Sequence, residues 1–97
     1  MRFDWDEEKN RLNRKKHGVW FEEAGEVFYD RQFKTLYDHR HSSLDEDRFL
    51  AVGFSKFERT LMVSHSYLEN DLIRLISARV ATKKEKEFYN GRRIRLV

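Results

Sequence analysis

Residues Asp71–Tyr89 read DLIRLISARVATKKEKEFY. Leu72–Val80 is the most apolar, β-prone run of the chain, and Arg74 and Arg79 are set into it. Such a run fits a pleated, half-buried surface and predicts a strand. Side chains alternate faces along a regular strand, and these arginines stand an odd number of residues apart. They are therefore expected on opposite faces, one meeting the core or a cleft and one the far surface. Thr82-Lys83-Lys84-Glu85 follows at once, and a Thr with a Glu three residues on is a capping box that starts a helix. A strand carrying arginines that runs into a helix ending at Tyr89 can bring guanidinium and phenol groups into one pocket.

Working back from this strand, Arg59–Tyr67 (RTLMVSHSY) and Arg48–Ser55 (RFLAVGFS) predict two more, joined by a turn at Lys56-Phe57-Glu58. Gly53 marks a bulge or a close backbone approach. Glu69-Asn70-Asp71 is a tight turn. Phe33–Tyr37 predicts another strand, and His39–Asp47, polar with Ser42-Ser43, a loop or wide hairpin turn. If Tyr67 pairs with Leu72, His65 lies opposite Arg74. A one-residue slip moves His65 towards Leu75 and away from Arg74, and both registers are open at this point.

Met1–Trp5 alternates Phe3 and Trp5 with polar residues and reads as a short strand or extended lead-in. A helix capped by Asp4 or Asp6 runs to about His17, with Glu7 and Glu8 at its positive end and Lys15-Lys16-His17 at its negative end. Gly18 is its left-handed C-cap. Leu12 is its only strong apolar residue, so shallow packing is expected. A second helix, about Phe21–Tyr29, puts Phe21, Ala24, Val27 and Phe28 on one face. The fold class is α+β: two N-terminal helices packed on a small antiparallel sheet of four to five strands, then a C-terminal helix.

The chain has 97 residues, which suits one domain spanning 1–97, with 91–97 as a flexible tail. Its apolar share is 39% and its charged share 38%, so the core must lean on aromatics, which make up 14%. No cysteine is present, so disulfides and thiolate metal sites are excluded. No apolar run approaches the roughly 20 residues of a membrane span, and no apolar signal core opens the chain. A cytoplasmic location without membrane contact is expected. The net charge is only +3, so its distribution matters more. Lys9–Lys16 and Arg92-Arg93-Ile94-Arg95 are basic, which suits either a polyanion or acidic partner or plain solvated surface.

Several segments together resemble the BrnT family of toxins from bacterial type II toxin–antitoxin pairs. They are Phe3-Asp4-Trp5-Asp6 with Lys9 and Asn10; Lys16-His17-Gly18-Val19; and Phe21-Glu22-Glu23-Ala24 with Val27-Phe28 and Asp30. Further on come Arg48-Phe49 with Gly53 and Ser55, and Ile73–Arg79 with Ala81, Glu85 and Tyr89. Trp20 stands where relatives often carry a small cap residue, and Arg31 follows Asp30 where many have Pro. The resemblance implies a RelE-like α/β toxin fold, a ribonuclease needing no metal or other cofactor, and neutralisation by a cognate BrnA-like antitoxin. It also implies that promoter DNA is bound only through the antitoxin complex.

Metal-free RNA cleavage needs a base for the 2′-hydroxyl proton, a cation for the crowded phosphorane, and an acid for the leaving 5′-oxygen. Arginine suits the second task, since its planar fork stays charged and grips phosphate oxygens in pairs. Arg79, at a strand end before a helix start, is the first candidate clamp; an ion pair with Glu85 is its structural alternative. Arg74 is the second, with a salt bridge as its alternative. His65 is the candidate acid or base, against a hydrogen-bonded structural histidine. Tyr89 is another proton donor or a stacking platform, against core packing beside Phe88. Arg48, Arg59, Lys16 and His17 are candidate RNA contacts, against solvated strand and helix ends. His39 and His41 share a face if extended, but no second ligand pair accompanies them and no metal site is expected. The rival function is a non-catalytic RNA- or protein-binding module acting as a subunit of a hetero-oligomer.

Overall fold

β5 (Leu72–Val80) lies between a short parallel neighbour, β1 (Arg2–Asp4), and a long antiparallel one, β4 (Thr60–Leu68). β3 (Phe49–Phe54) and β2 (Lys34–Tyr37) complete a five-stranded sheet of order β1-β5-β4-β3-β2. The helices are α1 (Glu7–His17), α2 (Phe21–Ala24) and α3 (Lys83–Tyr89), with a 3₁₀ segment at Gly25–Tyr29. This computed structural model describes residues 1–96. The expected α+β class and the antiparallel meander are present, with β1 added in parallel at the edge. Of the tail expected to be flexible, Gly91–Leu96 form no regular element, and Val97 lies outside the described residues.

α1 begins where Asp6 accepts a bond from the Glu8 N–H at 2.9 Å, and ends at Gly18, whose φ of 74° is left-handed. Leu12 is exposed; what α1 buries is Asn10 and Asn13. β1 covers β5 only from Leu72 to Arg74, so the β5 edge beyond it would carry unpaired backbone groups. Asn13 pairs there like a strand, donating to the Ala78 carbonyl at 2.9 Å and accepting from its N–H at 3.1 Å. Asn10 accepts from the Phe21 N–H at 2.7 Å and so starts α2, which the Trp20 side chain does not cap.

The second helix tightens to 3₁₀ winding at Gly25 instead of running as one α-helix to Tyr29. Val27 and Phe28 still turn inward, while Tyr29 is exposed. Gly53 is a close approach: a Cβ there would lie 2.6 Å from Val27 Cγ1. Val19, Phe21, Val27, Leu61, Val63, Leu75 and Ala78 form the core between the sheet and α1–α2.

The β4–β5 register shifts between Ser64 and His65, where Ser64 faces Ser77 but His65 faces Leu75. Ile76 is the extra residue of a bulge. This has two consequences. Tyr67 pairs with Ile73, so His65 is not opposite Arg74. The bulge also restores parity: Arg74 faces Ser66 and Arg79 faces Met62, and residues directly opposite share a face. Both arginines therefore stand on the face away from α1–α2, not on opposite faces as regular alternation predicts. α3 covers part of that same face. Lys34 Nζ donates to the Phe88 and Tyr89 carbonyls at 3.1 and 3.0 Å, and Glu85 reaches back to Arg79.

Candidate functional site

The uncovered part of this face forms a cavity of about 210 Å³. Leu50, Met62, Ser64 and Ser77 line it from three central strands, and Arg79, Arg48, His17, Asp38 and His41 bring charge and imidazole groups to it. A larger cavity, about 530 Å³ beside Tyr29 and Phe54, gathers Glu26, Asp30 and Lys56 and shares none of these residues.

Each functional side chain is held from below. Arg79 is fixed by β5 and donates twice to Glu85, at 2.8 Å from each terminal nitrogen. Glu85 in turn accepts the Thr82 N–H at 2.9 Å, and Thr82 accepts the Glu85 N–H at 3.2 Å: the expected capping box. Although burial opposes it, the Arg79 bonds and the Thr82 N–H hold the Glu85 carboxyl below its ordinary pKa. The Glu85 bonds raise the Arg79 pKa. Glu85 occupies two of the five guanidinium N–H donors, which leaves others for an anion.

Arg48 opens β3 through a stitched loop neck. Its carbonyl accepts from the Asp38 N–H at 2.8 Å, and its N–H donates to Ser42 Oγ at 2.8 Å. Its side chain leans on Glu46, with Nε at 2.9 Å from Oε1. The same neck places Asp38, a buried carboxylate, 2.8 Å from His41 Nδ1. His17 arrives from the last turn of α1, which Asn13 ties to the β5 edge.

Of the residues singled out in the sequence, the cavity unites Arg79, Arg48 and His17. The others lie elsewhere. Arg74 pairs with Asp4 at 3.0 Å and lines a separate hollow with Trp5, Asp6 and Lys9; Ile76 borders both hollows. His65 is fully buried against Phe28, Phe49 and Tyr67, and burial lowers its pKa to about 4. It is a core histidine: alternation along β4 puts it on the buried face with Leu61 and Val63, and the observed register sets it opposite Leu75. Tyr89 donates to Asp30 at 2.6 Å; burial first, then Asp30, push its phenol up to about 12. Arg59 braces the buried Glu23 and the Gly18 carbonyl. Lys16 is exposed and does not line the cavity.

Sequence reasoning gave no catalytic weight to Asp38, His41 or Glu46. Asp38 and His41 stand three apart in a polar turn, where an Asp side chain habitually bonds a nearby N–H, and that spacing was the available signal. His39 packs edge-on against Tyr37 at 4.6 Å and so does not pair with His41 as a ligand. Among the described residues no group of three or more His, Asp or Glu side chains is placed to hold a metal ion. No helix among them is long and apolar enough to cross a membrane.

No curated protein matches the chain. A 1.1 Å crystal structure of the Brucella abortus ribonuclease toxin, BrnT, is similar in fold, with a TM-score of 0.64 and 24% identity over 86% of this chain and 99% of that one. The sequence model described as "Ribonuclease toxin, BrnT, of type II toxin-antitoxin system" matches residues 5–85, which include every charged and imidazole residue of the cavity. The chain therefore belongs to the BrnT family of ribonuclease toxins of type II toxin–antitoxin systems.

Proposed function

We propose that the protein is an endoribonuclease that cuts RNA without a metal ion, at the cavity between Arg48 and Arg79, and so blocks translation and growth until a cognate antitoxin binds. The observation that carries this reading is the convergence of two guanidinium groups and two imidazoles, from β5, α1 and the loop that leads into β3, on one hollow. Guanidinium groups meet the charge that grows on a phosphorane, and imidazoles move protons near neutral pH. The 2′-oxygen attacks phosphorus as its proton leaves, the bond from phosphorus to the 5′-oxygen breaks, and that oxygen is protonated. The products are a 2′,3′-cyclic phosphate and a 5′-hydroxyl. Arg74, across Ile76, stands where the next stretch of a strand would pass.

The test is purified protein with single-stranded RNA in EDTA and mapped product ends. Cutting with cyclic-phosphate ends is expected, and cutting that appears only on adding a metal would refute the mechanism. Arg79→Ala should slow cleavage by about 100-fold or more with the fold intact, a typical cost of losing a charge-stabilising donor. An unchanged rate removes Arg79 from the site. Salt-dependent binding with no products would favour the non-catalytic module.

A further inference from the structure

We propose that His41 is the proton-transfer residue of this cavity and that Asp38 positions it, an assignment that rests on the ribonuclease reading above. Asp38 sits directly after β2, with its N–H held by the Arg48 carbonyl at 2.8 Å and its side chain only 4% exposed. One carboxylate oxygen takes the His41 N–H at 3.3 Å and the other meets His41 Nδ1 at 2.8 Å. An ionised carboxylate can only accept, so the proton of the neutral ring is on Nδ1 and the lone pair is on Nε2. The ring is 63% exposed and lines the cavity, so its free nitrogen is open to a substrate hydroxyl.

The other groups at this cavity are Arg48, itself leaning on Glu46, Arg79 on Glu85, and His17. His17 has no carboxylate partner among the described residues, so nothing fixes its tautomer. His39 does not line the cavity. In the step itself, the 2′-hydroxyl proton moves to His41 Nε2 while its oxygen bonds to phosphorus. The bonding pair departs with the 5′-oxygen, which takes a proton from water, and His41 later returns its own proton to solvent. The imidazolium so formed keeps Nδ1–H on Asp38, whose poorly hydrated charge stabilises it. The same contact in the resting protein braces the loop neck, so any test must separate bracing from catalysis.

His41→Asn does so, because the amide N–H₂ can still donate to Asp38 but no base remains at that position. The measurements are cleavage of single-stranded RNA, binding of the uncleavable 2′-O-methyl version, and a melting curve. A loss of about 100-fold or more in rate is expected, with binding within about twofold and melting unchanged. His41→Gly should regain rate with added imidazole, and Asp38→Asn should displace the acid limb of the pH–rate profile. Native-like cleavage by His41→Asn overturns the assignment while leaving the ribonuclease reading standing. So does a rate loss that comes with lost melting or lost binding, which would make His41 only a brace. If the native chain cuts neither free RNA nor messenger on ribosomes, the ribonuclease reading fails first and the assignment with it.

Discussion

His65 shows how one side chain can look catalytic in a sequence and be structural in the fold. Its Nδ1 bonds the Val63 carbonyl at 3.2 Å, its Nε2 has no partner among the described residues, and three aromatic rings enclose it. Charging it there means burying an unpaired cation. The folded pKa of about 4 lies below the ordinary 6.5, so the unfolded chain binds the proton first as pH falls. Stability is therefore complete above pH 6.5 and declines towards pH 4, by about 3 kcal/mol across the window. Glu23, Asp30 and Glu85 have lowered pKa values, so their losses begin only near and below their ordinary carboxylate range. Urea melts between pH 7 and 5 should show this slope, and His65→Leu should flatten it without loss at pH 7. A slope that survives the substitution would assign it to another group. Sequence placed His65 on the face of Leu61 and Val63 but could not show that aromatic rings seal that face, nor, without the strand register, which residue lies opposite it.

β5 and α3 were the most legible elements, since an apolar run and a Thr-x-x-Glu box are both local signals. The bulge was not legible, because regular alternation was the reading of this run; it shows in the burial, where the core positions are odd at Ile73 and Leu75 and even at Ala78. That change of phase across Ile76 and Ser77 puts Arg79 on the cavity face. The edge repair by Asn13 left no comparable mark, because its partner lies 65 residues away. Gly53 lies between these cases, since its sequence context suggested a close approach without naming the neighbour. The neighbour is the 3₁₀ segment: an added Cβ would meet Val27 Cγ1 at 2.6 Å, Phe33 Cβ at 3.0 Å and the Val27 carbonyl at 3.2 Å. The last of these is backbone and cannot rotate away. Gly53→Ala should cost about 1–3 kcal/mol in a urea melt, as overpacking does. A neutral result would mean that the 3₁₀ segment shifts freely against β3.

Across the molecule, the arrangement of charge says more than its sum. Arg59, which looked like a groove residue, is consumed by Glu23, 36 positions earlier, whereas Arg48 and Arg79 pair with carboxylates at the rim of an open hollow. Long-range pairing of this kind has no signature in a single chain, so the sequence could nominate basic residues but not sort them. The basic run of α1 is a separate surface: Arg11 pairs with Glu8, Lys15 is exposed, and neither lines the cavity. RNA binding can distinguish these two sources of positive charge. Each phosphate contact on a single strand contributes a slope of about −0.7 to a plot of log affinity against log salt. Replacing Arg48 and Arg79 together by Ala should make that slope shallower by about 1.4, measured with 2′-O-methyl RNA so that nothing is cut. Replacing Arg11 and Lys15 should leave it unchanged. If instead the helix pair flattens the slope and the cavity pair does not, RNA is held by the α1 surface and the open sheet face loses its claim to be the binding site.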